Sequence, residues 1–122
     1  MDQYETRHNQ NVKKLVETYK KGIVQRITRN LLDIQILRLV RTQPMWGYMI
    51  KKHVEAKFNV RLRHSALYPL LNSLEKQSYL TCERHSKGGR VRKVYSITQK
   101  GEHYLEAYDL VLRQQLSRED LE

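Results

Sequence analysis

Between Ser86 and Thr98 the sequence reads SKGGRVRKVYSIT. Lys87, Arg90, Arg92 and Lys93 crowd around a Gly-Gly pair, a density of like charge that suits phosphate oxygens. Arg90, at the tip, is the residue best placed to enter a minor groove. A second set precedes it. Ser65, Tyr68, Asn72 and Lys76 recur at helical spacing, with Arg63 and His64 just ahead of them. Asparagine can pair with the edge of adenine, and Ser, Tyr and Lys can hold phosphates. Tyr48 and Lys51 form a third set at the start of another helical pattern, a usual place to clamp a phosphate backbone; Tyr48 fits a core position equally well. Each set also has a plainer reading, as a solvated helix face or a loose basic loop. Their order along the chain favours the chemical one.

Other chemistries find little support. Cys82 and His85 make a C-x-x-H pair, but no second pair completes a zinc site, and Cys82 alternates with Leu80 as a buried small residue would. His8, His53 and His103 have no evident partners. No phosphate loop, nucleophile-base pair or paired carboxylates occur, so the expectation is a non-enzyme without metal or cofactor. The charge points the same way. Net charge is +10 over 122 residues. Residues 1–30 carry seven Lys and Arg against three Asp and Glu, and residues 81–98 carry five against one. Residues 99–122 reverse the balance, three against six, on what reads as a solvated face. A basic body with an acidic end fits a body that meets a polyanion and a C-terminal element that does not. The polar start MDQYETRHNQN has no secretory apolar core, and no stretch reaches the roughly 18 apolar residues of a membrane span. A cytoplasmic, nucleoid-associated protein is expected.

The elements that must carry these residues follow from periodicity. Val12, Leu15, Val16, Tyr19, Ile23 and Ile27 form one helical stripe, with Gly22 a place for a break. LLDIQILRLV (Leu31–Val40) is apolar on nearly every side, as a central helix should be, and it stops by Pro44. Ile50, Val54 and Phe58 mark the next helix, and NVRLR after it has room for a very short strand. Leu67, Leu70, Leu71 and Leu74 stripe a further helix, with Ser65 as its N-cap and Pro69 tolerated in or beside the first turn. YLTCERH and VRKVYSIT read as strands joined by Ser86–Arg90, where two glycines supply a tight hairpin. Val91, Tyr95 and Ile97 share one face of the second strand. Thr98 caps a last helix from about Gln99 to Leu116.

Three helices followed by a two-stranded hairpin is the winged helix-turn-helix plan. The predicted fold is mainly α with a small β-hairpin, flanked by N- and C-terminal helices. The charged tip is then the wing, basic because its partner is a phosphate-lined groove.

Four blocks in this order also resemble the PadR-like transcriptional regulators: PMWGYMI (Pro44–Ile50), SALYPLLNSLEKQSYL (Ser65–Leu80), GGRVRKVYSIT (Gly88–Thr98) and QKG (Gln99–Gly101). They span about Leu32 to Leu105. The resemblance implies a homodimeric DNA-binding repressor whose last helix forms the dimer. Trp46 departs from the smaller or more polar residue common before Gly-Tyr. The single short C-terminal helix matches the small subgroup, which leaves a small-molecule effector undefined.

The expected division is a basic helical extension over 1–30, the winged domain over 31–98 and a dimerisation helix with its tail over 99–122. Leu105, Tyr108, Leu112 and Leu116 are the expected dimer contacts. The expected function is sequence-specific regulation, most simply repression, through double-stranded DNA. A sequence-independent architectural coat is the alternative, supported by the charge and the extra basic helix. A protein-binding winged helix is the third reading, which the wing charge opposes.

Overall fold

Apolar residues on nearly every side of Leu32–Val40 oblige that segment to be surrounded, and it is. In the computed structural model, which describes residues 2–117, it forms most of α2 (Leu32–Thr42). Leu32, Ile34, Ile36, Leu37 and Val40 are all buried there. Before it runs α1 (Gln3–Asn30), and after it come β1 (Met45–Trp46), α3 (Gly47–Phe58), α4 (His64–Lys76), β2 (Leu80–Lys87), β3 (Arg90–Ile97) and α5 (Gln99–Gln115). The three strands form one antiparallel sheet in the order β1-β3-β2. Ile50 and Val54 of α3, Leu67, Leu71 and Leu74 of α4, Leu80 and Tyr95 of the sheet, and Leu105 of α5 close one core around α2.

Several local expectations need correction. The first helix is longer than its stripe predicts. It starts at Gln3, where the Asp2 carboxylate accepts from the Glu5 N–H at 2.8 Å, and it runs through Gly22 without a break. One exposed glycine costs only about 1 kcal/mol of helix propensity, too little to interrupt 28 residues. NVRLR forms no strand; Val60 and Leu62 instead drop into the core from the turn between α3 and α4. The third strand comes from Met45–Trp46, which pairs with Tyr95 and Val94.

Helix α4 begins one residue before Ser65. Arg63 is its N-cap and makes no side-chain capping bond, so Ser65 is a first-turn residue and not the cap. Pro69 lies beyond the first turn, within the helix. Without its N–H, the Ser65 carbonyl loses its helical donor, and both residues are exposed, where water can supply one.

The hairpin turn is tighter than Ser86–Arg90. Strand pairing reaches Lys87 and Arg90, leaving Gly88 and Gly89 as the turn, with φ of 62° and 78°. Two successive positive φ values suit a two-residue hairpin turn that twists with its strands. Val91, expected to share a buried face with Tyr95, is 64% exposed. The hairpin outruns the core it is rooted in.

That root is locked. The Thr98 hydroxyl caps α5 by accepting from the Gly101 N–H at 3.0 Å, and it donates to the Ser78 carbonyl at 2.6 Å. The Thr98 N–H donates to the Tyr79 carbonyl at 3.1 Å. The first turn of α5 passes so close to that carbonyl that a Cβ on Gly101 would collide with it.

Candidate nucleic-acid interface

The turn between α3 and α4 sets the angle at which α4 leaves the body. Asn59 ends α3 in the left-handed region, at φ 52° and ψ 46°. Glu55 then reaches across the turn to accept from the Leu62 N–H at 2.9 Å. That bond holds its carboxyl below the ordinary carboxylate range, with Lys51, Lys52 and Arg61 helping. Gly47, at the start of α3, completes the fit. A Cβ there would meet the Tyr68 ring at 2.9 Å, so glycine lets α4 close against α3.

With Leu67, Leu71 and Leu74 inward, α4 turns Ser65, Asn72 and Lys76 outward, all exposed. Tyr68 is half-buried, stacked face to face on His64 at 5.0 Å with 8° between ring planes. Across from this face rises the hairpin. Between them lies an open cleft of about 580 Å³, where Tyr48, Tyr68, Asn72, Arg90, Arg92 and Lys93 come together. These six side chains come from three separated stretches. Lys51 is half-buried on α3, and Lys76 and Lys87 are exposed outside the cleft. Arg63 faces a different hollow, with Arg29 and Arg61.

Trp46 lines the cleft as well, a position that periodicity did not single out. Its backbone pairs with Val94, two residues from Arg92. The Arg92 guanidinium lies over the indole, 4.1 Å from its centroid. Tyr48 packs beside the indole at 5.3 Å between ring centres, and Lys52 lies over the Tyr48 ring at 5.4 Å. A guanidinium on an aromatic face keeps its in-plane N–H groups free to donate. Trp46 thus places a wing cation without consuming its hydrogen bonds.

The remaining residues with reactive side chains are quiet. Cys82 is half-buried, and burial followed by the Glu75 charge pushes its thiol up, away from the reactive thiolate. His85 contacts the Glu83 carboxylate at 3.3 Å instead of Cys82. No group of three metal-binding side chains occurs among the described residues, and no described helix is long and apolar enough to cross a membrane. Burial also pushes the Tyr95 phenol, at the floor of the cleft, up to about 12, so it stays neutral.

On α5 the expected stripe divides in two. Leu105 is fully buried in the core of its own chain, so its place as an exposed dimer contact is corrected. The reason is the tight root at Gly101, which brings the start of α5 down onto α2. Tyr108 and Leu112 are half-buried, and Leu116 is 74% exposed. Leu110 and Val111, outside the four expected contacts, are about half exposed, at 53% and 52%. The acidic tail expected after the helix, residues 118–122, lies outside the described residues.

Comparison with known proteins agrees with this architecture. The model of the PadR-like family of transcriptional regulators matches residues 36–107, from mid-α2 to α5. The chain belongs to the PadR-like transcriptional regulator family. An uncharacterised protein of Lysinibacillus sphaericus is 34% identical over 83 residues, 65% of this chain and 75% of that protein. A PadR-family regulator from Eggerthella lenta superposes with a TM-score of 0.66 at 28% identity, covering 86% of this chain and 95% of that one. Bacillus subtilis PadR, solved in complex with operator DNA, superposes with a TM-score of 0.60 at 26% identity, over 64% of this chain and 46% of that chain. All of α1 precedes the segment matched by the PadR-like model.

Proposed function

We propose that this PadR-like regulator is a sequence-specific DNA-binding repressor that acts as a homodimer in the nucleoid. The observation that carries the reading is the cleft between α4 and the hairpin. A helix face bearing Asn72 stands there beside Arg90, Arg92 and Lys93, so one surface offers a base reader and phosphate contacts together. In this reading α4 enters the major groove, and Ser65, Tyr68 and Lys76 hold its flanks with Arg63 and His64. The hairpin, with Lys87, lies along the backbone, and Tyr48 and Lys51 clamp the strand at the start of α3. The operator complex of Bacillus subtilis PadR supports a duplex as the ligand. Repression then needs only that the bound dimer occlude a promoter.

The dimer is argued from α5. Tyr104, Ala107, Tyr108 and Val111 line an open apolar hollow, and Leu110 and Leu116 stand out beside it. A second copy covering that face would bury them. A two-fold pair presents two α4 helices, and its half-sites should lie about one helical turn apart, roughly 34 Å.

The competing reading is an architectural coat, favoured by the long, exposed and basic α1. Selection of bound sites from random duplexes separates the two. A regulator enriches a palindrome, and Asn72→Ala then loses roughly 1–3 kcal/mol on that site while random-duplex binding stays nearly intact. No enrichment, or equal losses on both duplexes, would refute sequence reading through Asn72.

A further inference from the structure

Arg29, Arg61 and Arg63 are far apart in sequence and carry no motif. The fold brings them around one hollow of about 350 Å³, floored by Leu32, Leu62 and Ala66. Arg29 comes from the last turn of α1, and the other two come from the turn between α3 and α4. All three are exposed, and among the described residues none makes a salt bridge. Arg61 acts on the Glu55 carboxylate, which already accepts from the Leu62 N–H at 2.9 Å and lies 4.0 Å from Lys52. Three like charges facing one hollow repel one another unless an anion enters.

We propose that this hollow is a second phosphate-binding surface, which takes the backbone of the bound duplex beyond the edge of the recognition site. The inference rests on the proposed DNA-binding function and extends it. The hollow adjoins the start of α4, whereas the hairpin cleft lies along the exposed face of the same helix. A duplex seated on α4 therefore has its hairpin contacts on one side and these three arginines at the helix entry. Guanidinium groups suit this position because each can donate two parallel hydrogen bonds to phosphate oxygens. The surface adds affinity without reading sequence, and it gives the end of α1 a part in binding.

The test compares the wild type, Arg29→Ala with Arg61→Ala, and Arg29→Lys with Arg61→Lys. Each is titrated over a salt series on a duplex containing the selected site with about one extra turn on each side, and on one trimmed to the site. The alanine pair should lower the salt slope on the long duplex by about 1 to 2 units per protomer, with little change on the trimmed duplex. The lysine pair should keep most of the slope, because charge is retained. An unchanged slope on the long duplex overturns the proposal while leaving the main function standing. Wild type that binds no duplex at all removes both. Alanine variants that dissociate in sedimentation would mean the hollow meets the acidic α5 of a second copy, which also overturns it. So would inorganic phosphate, at matched ionic strength, binding the wild type while the slope stays unchanged, since the site would then serve a free anion.

Discussion

Replacing Trp46 by leucine should weaken DNA binding without removing any charge. The indole holds the Arg92 guanidinium at 4.1 Å, on the outer part of the hairpin, which is otherwise exposed. A cation-π contact at an exposed position contributes about 0.5–1 kcal/mol. Ordering one long side chain on binding costs about 0.5–1.5 kcal/mol, and the stack has already met that cost in the free protein. Losing it should therefore cost about 1 kcal/mol per protomer. A two-fold dimer uses both hairpins on one operator, so the loss approaches 2 kcal/mol, roughly 30-fold in Kd. The assay is anisotropy of a labelled duplex for the wild type, Trp46→Leu, Arg92→Ala and the double variant. Arg92→Ala should lower the salt slope by about 1 unit per protomer, whereas Trp46→Leu should leave it nearly unchanged. The effect of Trp46→Leu should disappear when Arg92 is already alanine. Additive losses would refute the reasoning, because the indole would then act on the duplex directly or only through stability.

Gly101→Ala should destabilise the fold by about 1–3 kcal/mol, read from urea denaturation, since its Cβ would press on the Tyr79 carbonyl at the hairpin root. Acid should loosen the α3–α4 turn. The Glu55 carboxyl is held below its ordinary value, so its contribution is complete above the unfolded-state pKa and fades as pH falls through the lower folded one. Thermal melts should show that acid-side loss in the wild type and a smaller one in Glu55→Gln, whose amide oxygen still accepts from Leu62. On α5, Val111→Asp with Leu116→Asp should yield a folded monomer by light scattering, because both residues are exposed. Leu105→Asp should instead abolish the thermal transition, because its side chain lies wholly in the core.

What could be read from the sequence, and what could not, follows from how far apart the interacting residues lie. The hairpin was legible because its causes are neighbours. Gly88 and Gly89 supply the turn, and the strands that pair across it adjoin them. The stripe of Leu67, Leu70, Leu71 and Leu74 was legible for the same reason, and it fixed which face of α4 stays outside. The two-residue strand at Met45–Trp46 was not, because it exists only through pairing with Tyr95 and Val94, about fifty residues on. Without that pairing nothing sets Trp46 beside Arg92, so the residue looked like a departure and not a part.

Periodicity also left ownership of a stripe open. Leu105 and Leu112 share one side of a helix by spacing alone, yet the Gly101 contact drives the first into the chain's own core and leaves the second half-buried near the helix end. The mirror case is α1. Val12, Leu15, Val16, Tyr19, Ile23 and Ile27 make as clear a stripe as any in the chain, and each remains 43–60% exposed. Spacing reports that a face is apolar; only packing decides whether the same molecule covers it. Charge behaves in the opposite way. The wing cations stand out because four fall within seven residues, while Arg29, Arg61 and Arg63 converge only after α1 and the α3–α4 turn have docked on α2. A basic surface assembled from distant residues is invisible to any local count, which is why the net charge of +10 pointed to a polyanion without marking these three arginines.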